Sequence, residues 1–184
     1  MNTQTNRKPT GERRRQILDE AIRIVGRRGY YGFSVQEVAE SCGLTVAGVL
    51  HHFGTKEKLL IALLEDRDRR DAEAVRGGRP PGDPIEVLHD IVVRNSTQPE
   101  LIRLYTVLRS EALYQEHPAY DYFRTRDQRA LDWFAQLAAG RGGDPRSTAR
   151  QLLALMGGLE EQWLRFPGEV DLVAEWDRAV TRIL

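Results

Sequence analysis

Ser34, Thr45 and Thr55 mark three helix starts within a short stretch of the chain. A hydroxyl at an N-cap accepts a backbone N–H from the first turn, so such residues open helices rather than sit inside them. Glu37, three residues after Ser34, completes a capping box. Val35, Val38 and Ala39 face inward from that helix, Cys42 and Gly43 break it, and Leu44 packs in the turn. Thr45 opens a second short helix over 46–52, Phe53 and Gly54 close it, and Thr55 opens a third at Lys56. Upstream, Ile17, Leu18, Ala21, Ile24 and Val25 recur at three- and four-residue spacing, one face of another helix. Thr10 is its expected cap and Gly29 its stop, with Tyr30, Tyr31, Gly32 and Phe33 as an aromatic connector.

The pattern beyond Lys56 stays helical. Leu59, Leu60, Leu63 and Leu64 carry a long helix to about residue 75, and Gly77-Gly78-Arg79-Pro80-Pro81-Gly82-Asp83-Pro84 ends it. Further helices are predicted over 85–95, 99–115, 118–139, 145–165 and 170–184, with Pro99, Pro118 and Pro145 at helix starts. No segment alternates with a period of two, and no internal repeat is evident. The expected class is all-α: an N-terminal domain of three short helices containing a helix-turn-helix, then a bundle of longer ones. The expected division is a flexible arm over 1–9, a helix-turn-helix domain over 10–55 and a helical domain over 56–184.

Charge narrows the partner. The 184 residues hold 27 Lys+Arg and 27 Asp+Glu, a net of zero. The sum hides an asymmetry. Residues 1–56 hold nine basic side chains (Arg7, Lys8, Arg13, Arg14, Arg15, Arg23, Arg27, Arg28 and Lys56) against five acids (Glu12, Asp19, Glu20, Glu37 and Glu40). The remainder carries the compensating acidic excess, so the N-terminal third faces an anion. The longest apolar run, Leu59 to Leu64, is far short of a membrane span, and the first ten residues carry no apolar signal core. One cysteine, Cys42, excludes an internal disulfide framework. The expectation is a cytoplasmic protein with no membrane partner and no cofactor.

Helix, tight glycine turn, helix is helix-turn-helix geometry. The outer face of the second helix is small and polar, with Thr45, Gly48, His51 and His52, and small residues let a helix approach base edges in a major groove about 12 Å wide. Helix starts offer free N–H groups to phosphate. Lys56 opens the next helix within phosphate reach, and Arg13, Arg14 and Arg15 open the first. Ser34 and Gln36 complete the candidate DNA-binding set with Val46.

The run from Val35 to Leu60, VQEVAESCGLTVAGVLHHFGTKEKLL, resembles the signature of the tetracycline-repressor (TetR) family of transcriptional regulators. The resemblance covers residues 10–60, and beyond them rests on length and helical layout. It implies a homodimer on palindromic double-stranded DNA, and a C-terminal domain that binds a small effector and dimerises through its last two helices. Apart from the resemblance, no metal-ligand spacing or glycine-rich phosphate loop appears, so no enzymatic activity is expected. Within the resemblance Thr45 caps the recognition helix and touches phosphate, Val46 and Gly48 face bases, and His52 and Lys56 touch the backbone. Leu50 departs from the pattern, which usually has a tyrosine whose hydroxyl reaches phosphate. That contact is lost or replaced by His51, and with Gly48 at a base-facing position DNA shape carries more of the readout.

Other readings stand beside these. His51 and His52 are adjacent on a helix and point about 100° apart, which disfavours a metal pair. Cys42 is a packing residue or a redox sensor. Tyr105, Glu111, His117, Tyr122, Trp133 and Phe134 are either core and caps or the lining of a cavity for a partly apolar effector. Glu111 with His117 is also the one acid–base pair an enzyme or small-molecule carrier could use. Leu152, Leu153, Leu155, Met156, Leu159, Trp163 and Leu164, then Leu172, Val173, Trp176, Val180 and Leu184, form stripes wider than one packing partner needs. A second subunit across a two-fold axis would cover the surplus.

Overall fold

The computed structural model describes residues 9–76 and 83–184. Among them the chain forms nine helices and no strand. They are α1 (Thr10–Gly32), α2 (Val35–Cys42), α3 (Val46–Phe53), α4 (Lys56–Arg76), α5 (Pro84–Ser96), α6 (Pro99–Glu111), α7 (Tyr120–Ala138), α8 (Pro145–Arg165) and α9 (Leu172–Val180). The expected arm over residues 1–9 lies outside the described residues except for Pro9, and the expected break over 77–84 does so except for its last two residues. Asp83 caps α5 by accepting from Ile85 N at 2.8 Å, with Pro84 in the first turn.

The local signals for helix starts hold where a side chain closes the cap. Ser34, Thr45, Asp144 and Asp171 each accept a first-turn N–H. Four expectations change. Thr10 lies inside the first turn of α1, and Pro9 stands at the cap without a side-chain bond. The first helix is long, 23 residues, and bends at Gly29 (φ 66°, ψ −177°) before one last turn. Helix α6 stops at Glu111 and α7 starts at Tyr120, because His117 Nδ1 accepts the Ala119 N–H and turns the chain between them. Helix α9 is shorter than the expected 170–184: Asp171 caps its start, and turns replace the helix after Val180.

Two apolar clusters hold the molecule. The first joins Ile17, Leu18, Ala21 and Val25 of α1 to Val38, Val49, Phe53, Leu59, Leu60, Leu63 and Leu64, and continues into Leu101, Leu104 and Leu108 of α6 and Phe123 of α7. This core runs across the expected division at residue 55 without interruption. The second gathers Leu88, Val92, Phe134, Leu152, Leu172, Trp176 and Val180. Polar links tie the helices around them. Arg94 pairs with Asp71 at 2.6 Å, Asn95 donates to Glu160 at 2.7 Å, and Arg109 pairs with Asp127 at 3.0 Å. Burial raises the Glu160 carboxyl above its ordinary range, against the pull of Asn95, Arg126 and Arg109.

Candidate nucleic-acid interface

The turn between α2 and α3 closes because Gly43 adopts the left-handed conformation (φ 64°), which costs a glycine little. Its N–H reaches Glu40 O at 3.1 Å and Leu44 N reaches Ala39 O at 2.8 Å. Gln16 of α1 braces the turn by donating to Cys42 O at 3.5 Å. Cys42 itself is buried, which favours packing over redox sensing.

Three caps then order the candidate surface. Ser34 Oγ accepts from Glu37 N at 3.1 Å, Thr45 Oγ1 from Gly48 N at 3.1 Å, and Thr55 Oγ1 from Lys58 N at 3.2 Å. At Ser34 and Thr45 the hydroxyl proton is left to donate elsewhere, and a phosphate oxygen is a suitable acceptor, whereas Thr55 donates to Glu57. Ser34, Gln36, Thr45 and His51 are exposed, while Val46, Gly48, His52 and Lys56 are half-buried. Gln36 donates to Glu40 at 2.6 Å.

Arg13 and Arg14, the two arginines of the candidate set, both have partners inside the chain. Arg14 Nη1 donates to His52 O at 3.2 Å, and its guanidinium lies 4.3 Å over the Phe53 ring. It therefore complements the C-terminal end of α3, where a cation is favoured. Arg13 donates to Gln16 at 3.0 Å, the residue that braces the turn. Lys56 Nζ rests 4.4 Å over the Tyr30 ring and 4.5 Å over the Phe33 ring. Tyr30 Oη donates to Glu57 at 2.9 Å; burial and that bond push its pKa up to about 12. Bonds from Thr55, the Glu57 backbone and Tyr30 hold Glu57 below the usual carboxylate range. The His51 and His52 rings meet at 5.7 Å. Desolvation, then His51, Arg14 and Arg13, lower the His52 pKa.

The acids of the basic third are largely paired, so its cationic excess stays uncompensated. Glu20 pairs with Arg23, Glu37 with Arg28 and Asp19 with Arg70. Among the described residues no group of three or more His, Cys, Asp or Glu side chains is placed to hold a metal ion. No described helix is long and apolar enough to cross a membrane.

The six candidate effector residues fall into three places. Tyr105 and Tyr122 both donate to Asp68 of α4, Tyr105 at 2.8 Å, and Arg126 Nε donates to the same carboxylate at 3.2 Å while its guanidinium covers the Tyr105 ring at 4.6 Å. Burial first, and their polar partners after it, push both phenols well above the ordinary tyrosine range, so they remain donors. An open groove of about 540 Å³ between α4 and α7 reaches this cluster, lined by Ile61, Asp68, Pro118, Tyr122 and Arg126 among others. Glu111 and His117 instead meet α1. Phe134 belongs to the second core, and Trp133 beside it is 36% exposed. One aromatic cavity does not form, since residues 122 and 133 of α7 lie about 17 Å apart along the helix. Asp68 was missed, although it continues the four-residue stripe of Leu60 and Leu64 and so falls on the buried face of α4.

Residues 17–63 match the family model described as bacterial regulatory proteins, tetR family. The chain is 39% identical over 75 residues to the HTH-type transcriptional repressor AcnR of Corynebacterium efficiens, covering 41% of this chain and 39% of that protein. It is 30% identical over 109 residues to the HTH-type transcriptional regulator BetI of Rhizobium meliloti, covering 56% of this chain and 54% of that protein. The chain thus spans about half or less of the length of these curated relatives. The whole fold is similar to that of NalD, the secondary repressor of the MexAB-OprM multidrug efflux pump in Pseudomonas aeruginosa. That likeness has a TM-score of 0.71 and 23% identity, and covers 96% of this chain and 95% of that one. Residues 17–63 thus carry the segment that the tetR family model describes, and the all-helical fold built behind it is similar to that of NalD.

Proposed function

We propose that the chain is a DNA-binding transcriptional repressor, acting in the cytoplasm as a homodimer on a palindromic operator and released by a small-molecule effector. One observation carries the reading: α2 and α3 meet through the Gly43 turn with both N-caps closed and Thr45, Gly48, His51 and His52 along the second helix. That unit presents one helix to a major groove, with Ser34, Thr45 and Lys56 at the phosphates on either side. The names carried by AcnR and NalD support the repressor assignment.

What one chain leaves uncovered supports the dimer. In α8 only Ala149 and Leu152 are buried, whereas Leu153, Leu155, Met156, Leu159, Trp163 and Leu164 are half-buried and Phe166 is 45% exposed. Those residues, with α9, would pack on a second copy about a two-fold axis. Two recognition helices must then stand about 34–36 Å apart to enter successive major grooves. An effector in the groove beside Asp68 would act by binding one position of α4 better than another. The cluster there is polar as well as aromatic, so the effector needs hydrogen-bonding groups beside its apolar part.

Fluorescence anisotropy with the DNA upstream of the chain's own gene tests the proposal. Affinity should fall steeply with salt as counterions are released. A flat salt response would sink it. An acid–base enzyme using Glu111 and His117 is disfavoured, because Glu111 accepts Tyr30 N–H, His117 Nδ1 accepts Ala119 N–H, and the two side chains stand 3.7 Å apart.

A further inference from the structure

The bend in α1 is a socket. At Gly29 a Cβ would stand 2.2 Å from Glu111 Oε1 and 2.9 Å from its Cδ, so a carboxylate from the end of α6 fills the space a side chain would take. The other oxygen, Oε2, accepts Tyr30 N–H at 2.8 Å. One turn earlier on α1, a Cβ at Gly26 would meet Glu100 O at 3.4 Å and Leu104 Cβ at 3.6 Å, so the two helices already run close together there. His117 closes the far side of the socket. It is buried, its Nδ1 accepts Ala119 N–H at 3.1 Å, and its ring meets Tyr30 edge-on at 5.0 Å and Tyr31 at 5.7 Å. With Nδ1 accepting, the ring proton of the neutral imidazole sits on Nε2, 3.7 Å from Glu111 Oε2. Burial lowers the His117 pKa despite the pull of Glu111, which keeps that neutral form.

Tyr30 carries the joint to the DNA side. Its backbone is held by Glu111, its hydroxyl by Glu57, and its ring supports the Lys56 ammonium at 4.4 Å. Lysine has a flexible four-carbon stem, and an aromatic platform under the ammonium narrows the directions it samples. We infer that Glu111 is a positioning residue for DNA binding: by seating in the Gly29 bend it fixes Tyr30, and through the Tyr30 ring it aims Lys56 at phosphate. This role rests on the DNA-binding reading above, and it reassigns Glu111 and His117 from the effector site to the joint between α1, α4 and α6.

The test uses full-length chains carrying Glu111→Ala, Glu111→Gln, Lys56→Ala and the Glu111→Ala/Lys56→Ala pair. Without DNA, hydrogen exchange at the Tyr30 amide should accelerate at least about tenfold in Glu111→Ala and stay near wild type in Glu111→Gln, whose carbonyl can still accept. With operator DNA, Glu111→Ala should bind about tenfold more weakly. Its slope of log affinity against log salt should fall by about 0.9, one phosphate contact. Glu111→Gln should keep the slope, Lys56→Ala should lose the same increment, and the double variant should lose no more than Lys56→Ala. A Glu111→Ala chain that is less stable but keeps the wild-type slope, or slope losses that add in the double variant, would overturn the positioning role. Unchanged Tyr30 exchange would remove the socket itself, whatever the DNA result. A wild-type chain with no salt-dependent DNA binding would sink the DNA reading and this role with it, while the exchange data would still report the socket.

Discussion

His52 and Lys56 stand one helical turn and a cap apart, and their neighbours set how each meets an anion. Burial and the charges of His51, Arg14 and Arg13 disfavour the His52 imidazolium, so its pKa lies below the ordinary value. A phosphate beside the ring would reverse that preference, and binding would take up a proton. DNA affinity should therefore rise as pH falls through the ordinary histidine value of about 6.5. Fold stability has the opposite sign. A histidine with a lowered folded-state pKa contributes stability above its unfolded value and loses it as pH falls through the folded one, and His117 adds to this in the same direction. His52→Gln should flatten the rise in affinity without removing the fall in stability, read by anisotropy and thermal melts across pH. An unchanged affinity profile would show that His52 is not at the phosphates. Lys56→Ala should weaken all sequences about equally, whereas substitutions at Gly48 should change preference among them. At Gly48 a Cβ would press Thr45 Oγ1 at 3.3 Å, so even alanine disturbs the cap. The caps were legible in the sequence because cap and N–H lie three residues apart. The seat of Arg14 was not, because its partner carbonyl is 38 residues away.

At the scale of the elements, α3 depends on its two ends. Thr45→Ala removes the bond to Gly48 N and should cost about 1 kcal/mol in urea unfolding. Gly43→Ala meets no neighbour within 4 Å, so its cost comes from backbone conformation alone, about 1–2 kcal/mol. A Gly43→Ala chain of wild-type stability would mean the turn is not held left-handed in solution. Helix α4 shows the limit of reading an apolar stripe. Leu59, Leu60, Leu63 and Leu64 announce the packing of its first half, but Asp68 continues the same face with a carboxylate. Tyr105, Tyr122 and Arg126 arrive from α6 and α7 to bond that carboxylate, contacts that no local pattern encodes. Its side chain is 36% exposed and water can replace part of what is lost, so Asp68→Ala should cost about 1 kcal/mol. The ends of α6 and α7 escaped for a related reason. Pro118 suggested a helix start, but the buried His117 ring takes the Ala119 N–H and delays it.

The whole molecule joins a basic end to an acidic body through one continuous apolar core, since α6 contributes Leu101, Leu104 and Leu108 to the cluster that holds α1 to α4. A displacement of α6 should therefore reach α2 and α3 without any hinge at the expected boundary. That coupling matters for a repressor only if two such units are held at a fixed separation, so the α8 face becomes decisive. Leu159 packs on the second core yet remains half-buried. A glutamate there can turn its carboxylate to water in a single chain but not in a packed two-fold interface, where an unpaired buried charge is costly. Leu159→Glu should keep its helical circular dichroism and sediment as a monomer where wild type sediments as a dimer. It should bind a palindrome no better than a half-site, because the second recognition helix no longer adds its contacts as an intramolecular step. Wild-type sedimentation of the variant would place the interface elsewhere on the surface. A monomer that still discriminated the palindrome from its half-site would show that the pairing of recognition helices does not depend on α8.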